Sequence, residues 1–318
     1  MSELLDSSTI TIVSQATLPS TSEPMAPPHV QASSDRQVPT RRISFADPLA
    51  DLPKHFAADG DLILSHLAVA LTSLFPDGED YFVRSVRHYR DRIEDPVLKR
   101  QVAGFIGQEA MHGREHRALN DRLAELGYPV KRFERVVRAS LRLRTKTAPP
   151  IANLAVTAAL EHFTATLAEM LLSDERARAE FGHDGIRNLF MWHALEESEH
   201  KAVAFDVYRA VGGSERLRIW TMKVIRPGFV VVSALLVAIS LLGDRQTYRR
   251  GALRESWRNF RASPLVGRAL WEQLKDYDRR DFHPDDSDTD ELLGEWGARL
   301  FGDAGEINNL LVGSTGRA

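Results

Sequence analysis

The sequence predicts an all-α fold built on a four-helix bundle, and three observations predict it. Apolar residues recur at steps of three and four over long stretches, the spacing that places side chains on one face of a helix. No stretch alternates apolar and polar residues as a half-buried strand does. Within the helical stripes, glutamates and histidines stand at mid-length, where a core seam calls for apolar side chains.

The segment 1–44 comes first. Up to about Thr40 it is rich in Ser, Thr, Pro and Ala, and such a stretch buries too little apolar surface to offset its ordering entropy. It is expected to be disordered, and it lacks the basic-then-apolar pattern of a secretory signal. The bundle is expected over 45–215. A short helix over 59–74 should break at Phe75-Pro76-Asp77-Gly78, and a second, over 79–93, should end before Asp95-Pro96. A third pattern covers 97–126 and stops at Gly127. Residues 128–150 read as a crossover with a basic helix near 133–143. A further helix follows Pro149-Pro150 to about Leu172, and the last bundle helix spans 186–211 before Gly212-Gly213.

An extension over 216–290 carries the apolar run Gly228–Leu242, preceded by Trp220, Lys223 and Arg226. This run is shorter than the ~18 apolar residues a membrane span needs, so it predicts a buried core helix or helical hairpin packed on the bundle. Membrane attachment through 220–242, helped by Arg245, Arg249 and Arg250, is the rival expectation, together with a homodimer surface. From Asp281 the chain turns acidic and then glycine-containing, and 291–318 is expected to be a partly loose tail.

Composition narrows the chemistry. The 318 residues are 43 % hydrophobic and 27 % charged with a net charge of −3, an ordinary globular balance without the basic excess of a nucleic-acid binder. Cysteine is absent, which excludes disulfides, thiolate zinc sites and iron–sulfur clusters and leaves nitrogen and oxygen as metal ligands. A cytoplasmic location, peripheral to a membrane if the apolar run attaches, fits this composition.

The polar interruptions form a pattern. One face of the long helix reads Val102, Phe105, Glu109, His112, His116, Leu119, Leu123 and Leu126. The last bundle helix repeats the design with Ile186, Phe190, His193, Glu197, His200, Ala204, Val207 and Val211. A buried, unpaired carboxylate is costly, so a cation must compensate these residues. Glu161 shares a stripe with Leu154, Thr157, Thr164, Ala168 and Leu171, and Glu79 heads one with Phe82, Val86, Tyr89 and Ile93. Glu79 lies about as far before the Asp95-Pro96 turn as His112 lies after it, so antiparallel helices bring the two to one level. One Glu from each of two helices and a Glu-x-x-His from each of two others is the arrangement that holds two metal ions. Iron suits the set best, with manganese or zinc as alternatives.

The neighbours divide by role. His116 is placed either to ligate or to hydrogen-bond a ligand from behind. Glu196 and Glu199 are expected to be solvated or behind the ligands, and Tyr89 to be a core tyrosine, with a redox or hydrogen-bonding place behind the ligands as its alternative. His162 should sit at a helix interface. Thr157, Ala158, Thr164 and Ala165 either leave space for a small molecule or allow close helix packing.

The segments LTSLFPDGEDYFVRSVR, FIGQEAMHGREH, ALEHFTA, WHALEESEHKAVAFDVY and DFHP resemble a bacterial family named predicted metal-dependent hydrolases, over about residues 45–290. That family is grouped with ferritin-like proteins. The resemblance implies a ferritin-like four-helix bundle with additional N- and C-terminal helices, and a hydrolytic activity. His193-x3-Glu197-x2-His200 is also similar to the pattern of the di-iron arylamine N-oxygenases, whose extra histidine is a seventh ligand, and this implies the same role for His193. The expected ligands are thus Glu79, Glu109, His112, Glu161, His193, Glu197 and His200. His283 belongs to the DFHP motif, and no chemistry assigns it a role. The function expected is a di-iron oxygenase or oxidase acting with dioxygen on a small or apolar substrate. Metal-dependent hydrolysis and non-catalytic iron handling are the rivals.

Overall fold

A computed structural model describes residues 32–313, all helical apart from turns and two isolated bridges, Ile43 with Leu311 and Ala57 with Phe181. In chain order the helices are α1 (Leu62–Arg87), α2 (Pro96–Glu125), α3 (Val130–Thr147), α4 (Pro150–Ser173), α5 (Glu175–Ala179), α6 (Asp184–His200), α7 (Val203–Ala210), α8 (Glu215–Leu242), α9 (Ala252–Ala262), α10 (Arg268–Asp276) and α11 (Asp290–Phe301). Asp61 opens α1 by accepting the Leu64 N–H, and Asp95 opens α2 by accepting that of Val97 with Pro96 in the first turn. Gly127, at φ +89°, ends the turn after α2 in the left-handed region that favours glycine.

The broadest contacts pair α1 with α2 and α4 with α6, and contacts of α1 with α4 and of α2 with α6 and α7 close the ring. Inside it are two apolar clusters. One holds Val69, Leu119, Leu123, Ala168, Ile186 and Trp192; the other holds Phe82, Val86, Phe105, Leu154, Ala158 and Val207. Each of the helices α1, α2, α4 and α6–α7 passes from one cluster to the other, and its glutamates and histidines stand at the crossing. The polar layer is thereby held between two dry ones.

The break expected at 75–78 does not occur. Pro76 has no N–H for the Thr72 carbonyl, a defect that normally interrupts a helix. Asn120 Nδ2 donates to that carbonyl at 3.0 Å instead, and α1 continues through the proline. The single helix expected over 186–211 is interrupted after His200, where α6 ends. Lys201 and Ala202 keep near-helical dihedrals, so α7 continues the same face. The Lys201 ammonium reaches Glu169 at 3.1 Å and the Ser287 carbonyl at 2.7 Å, which fixes this joint to α4 and to the chain before α11.

The N-terminal segment departs further from expectation. Residues 1–31 lie outside the described residues, but 32–44 are ordered along α2. Gly104 and Gly107 make this possible: a Cβ on either would fall about 2 Å from Val38 or Thr40. Gln101, Gln108 and Glu115, spaced by seven, hydrogen-bond Ser34, Pro39 and Phe45 in turn. The C-terminal residues through 313 are not loose either. Trp296 on α11 is buried and donates its indole N–H to the Leu172 carbonyl, and Leu311 pairs with Ile43.

The apolar run Gly228–Leu242 proves to be the second half of a 28-residue helix, α8, which continues through Pro227 on its exposed side. It is not a buried core helix: only 17 % of its most apolar window is covered. Its inner face is mixed: Arg218, Thr221, Ser233 and Ser240 face inward with Met222 and Leu236, while Val231, Leu235, Ile239 and Leu242 are each more than half exposed. Among the described residues it is the one helix long and apolar enough to cross a membrane, by length and composition alone.

Candidate metal centre

Helical spacing delivers the polar layer as the sequence anticipates, and the fold brings together all seven residues expected as ligands. Glu79, Glu109, His112, Glu161, Glu197, His193 and His200 are all at least 95 % buried. Three groups among them are compact enough to share an ion: Glu79 with Glu109 and His112, Glu109 with Glu161 and His200, and His112 with His193 and Glu197. Glu109 belongs to two of these groups. Glu197 Oε1 lies 3.6 Å from His112 Nδ1 and 3.7 Å from His200 Nε2, so it too stands between the two imidazoles.

Both carboxylate oxygens of Glu79, Glu109 and Glu161 are buried without a hydrogen-bond partner, as are His112 Nδ1 and His200 Nε2. Buried polar atoms are rarely left so. His200 Nε2 approaches Glu109 at 3.1 Å and Glu161 at 3.3 Å, yet these contacts lack hydrogen-bond geometry. The atoms converge on shared points rather than on each other, which is the signature expected of a donor set built for cations. Four carboxylates would balance two divalent ions.

The groups behind this layer aim it. His112 Nε2 lies 3.0 Å from Glu196 Oε2, which leaves Nδ1 facing the layer; His200 Nδ1 lies 2.8 Å from Gln108 Oε1, which leaves Nε2. His193 Nδ1 lies 2.6 Å from His116 Nε2, and His116 Nδ1 lies 2.7 Å from the Thr72 hydroxyl. His116 thus stands behind His193, and with Glu79 and His193 it also forms a group compact enough to share an ion. Glu196 is fully buried rather than solvated, and Arg41 bridges it to Glu199, which in turn accepts from Gln108. Tyr89 lies beyond the end of α1 under the Arg92 guanidinium, ten residues from Glu79 and outside the layer.

Arg41 and Gln108 were not anticipated. Arg41 lay in a segment read as disordered, and its only signal was the seven-residue spacing of Gln101, Gln108 and Glu115 beside two helix glycines. Other residues are structural. His162 packs on Tyr277 and Phe282 and faces the Gln273 carbonyl, as expected of an interface histidine. His283 meets Asp206 of α7 at 2.8 Å, so the DFHP motif fastens the chain after α10 to α7. Thr157 bonds Ser85, while the Thr164 hydroxyl donates to Glu197 at 2.5 Å.

Glu196→Ala removes the acceptor behind His112 without touching a candidate ligand. It is expected to weaken zinc affinity by roughly 10–100-fold in a chelator competition. Unchanged affinity would show that His112 does not serve as a ligand.

Protonation follows from burial. Burial, with Glu109 next, pushes Glu161 up to about 8 and holds Glu79 well above the usual carboxylate range. Burial works against the charge on His112, but Glu109 and Glu196 outweigh it and raise that imidazole to about 10. Without metal, protons thus stand where cations would. A metal ion must expel them, so binding should release protons at neutral pH, and affinity should rise with pH to about 8 and beyond. Calorimetry in buffers of differing ionisation enthalpy measures this release, and binding without it would contradict the assignment.

Comparison with curated proteins and with solved structures gives no match. A family-wide sequence model does match, over residues 39–288, a span that takes in the whole polar layer and the DFHP motif. On that match the chain belongs to the family described as predicted metal-dependent hydrolases.

Proposed function

We propose that the protein is a dinuclear metal enzyme whose ferritin-like bundle holds one ion through Glu79, His112 and His193 and a second through Glu161 and His200, with Glu109 and Glu197 shared. The observation that carries this is the layer of buried ligand atoms without partners, set between two apolar clusters. Iron is the metal proposed, and when bound it would supply redox chemistry with dioxygen. The chain's own part is positional. Glu196, Gln108 and His116 fix three imidazoles, Arg41 restrains the carboxylates behind them, and the apolar clusters exclude water.

Hydrolysis is the second reading, and the family description favours it. In that case the same residues would hold redox-inert ions and orient an ester or amide. The two readings separate cleanly. Anaerobically reduced, iron-loaded protein is expected to consume oxygen stoichiometrically, and His193→Ala to slow that consumption more than it lowers metal content. Reduced protein indifferent to oxygen, with ester cleavage by the zinc or manganese form, would establish hydrolysis instead.

We also infer that α8 lies along a membrane surface. From Val230 onward its outward side chains are aliphatic, the exposed aromatics Trp220, Tyr248 and Trp257 suit a lipid–water interface, and exposed Arg245, Arg249 and Arg250 follow it directly. Asp244, at its end, is held by Lys54 and His55, which ties α8 to the bundle. Such a placement makes the protein peripheral rather than spanning.

A further inference from the structure

A cavity between α1, α4 and α6 reaches the proposed metal layer. Its inner end is formed by Phe75, Thr164, His193 and Glu197, and its outer end by Leu64, Ala57 and Leu265. Phe75 is the hinge between cavity and centre, since its ring packs edge-on against both His116 and His193. Leu64, Leu67, Leu71 and Phe75 share one face of α1, and the eleven steps from Leu64 to Phe75 at ~1.5 Å each give a length of roughly 16 Å.

Shape and lining choose the occupant. The volume is about 110 Å³, less than the ~150 Å³ of a compact cavity that encloses a benzene ring. Averaged over the length of that helix face, such a volume amounts to the section of a single chain. No lysine or arginine lines it, and Glu180 on the Ala57 side disfavours an anion there. The polar groups that could meet a reacting function, His193, Glu197 and Thr164, are all at the metal end.

We propose that this cavity takes a straight alkyl or acyl chain, with the functional group beside Glu197 and His193 and the tail directed toward Leu64 and Leu265. Which end reacts rests on the metal centre proposed above; chain binding itself does not. The class holds for oxidation and hydrolysis alike, because it follows from the bore and not from the reaction.

The test is calorimetric titration of the full chain, metal-stripped or loaded with redox-inert zinc, using straight-chain alcohols from hexanol to dodecanol and adamantanol as a bulky control. Affinity should rise roughly fourfold per methylene, as burial of successive CH₂ groups requires, and level off once the bore is filled. Adamantanol should bind far more weakly than decanol. Ala168→Phe should weaken decanol binding at least tenfold at unchanged zinc content. Leu67→Trp, at the half-buried rim where folding is not at stake, should do the same. Affinity independent of chain length, or both variants binding like the wild type, would overturn the proposal. Zinc retained without chain binding defeats this inference alone. Chain binding without zinc retention supports it and defeats the metal centre.

Discussion

Glu109→Ala is expected to lower the metal content from two ions per chain to well under one, because Glu109 belongs to both the Glu79–His112 and the Glu161–His200 groups. Glu197→Ala should behave similarly, since its carboxylate stands between His112 and His200. Elemental analysis of protein purified with excess iron provides the measurement, and unchanged content in both variants would refute the assignment. Stability discriminates further. Metal that binds only the folded chain stabilises it by RT ln(1 + [L]/Kd), about 2.7 kcal/mol at a hundredfold excess over Kd. Wild-type protein should therefore gain a clear rise in melting temperature with metal, and Glu109→Ala should lose most of it.

The response to metal separates this site from the bland alternative, a buried salt-bridge network. In such a network, removing one partner costs about 3–5 kcal/mol, because a charge is left buried and alone. The stripped site shares that cost: Glu109 repels Glu79 and Glu161, but it also stabilises the imidazolium of His112. Metal-free Glu109→Ala should therefore melt below metal-free wild type in either case, and the gain on adding metal decides between them. No gain in wild type would favour the network.

The second large effect concerns α8. Leu235→Glu together with Ile239→Glu should reduce binding to anionic lipid vesicles by ~30-fold or more, since each apolar side chain buried contributes about 1.5–3 kcal/mol when fully covered. Both side chains are more than half exposed, so the folded bundle should be untouched. Reversing Arg245, Arg249 and Arg250 should weaken binding to anionic but not to zwitterionic vesicles, at about 1 kcal/mol per charge. Cosedimentation reads both effects. A dimer by light scattering with no affinity for vesicles would show that a second copy of the chain covers the helix instead.

Much of this was legible in the sequence because helical periodicity is local. Steps of three and four placed Glu109, His112 and His116 on one face and His193, Glu197 and His200 on another, and no fold was needed to see that apolar neighbours would bury them. Residue type then limited the ligands to nitrogen and oxygen. Other features depended on partners distant in sequence. Pro76 reads as a helix breaker until Asn120, 48 residues from Thr72, supplies the missing donor. Arg41 reads as part of a disordered tail until Gly104 and Gly107 open a track for its backbone. Glu196 looks like a surface acid until α2 brings His112 to within 3.0 Å of it. The apolar run suggests a buried helix, because hydropathy measures how readily a side chain leaves water and not whether other helices remain to cover it. The sequence alone determined the helical class, the polar layer and the nitrogen and oxygen donors it offers, all consequences of local spacing and residue type. Tertiary structure alone decided which groups stand behind the ligands, where the cavity opens and which face of α8 is bare, since each depends on contacts that no local pattern encodes.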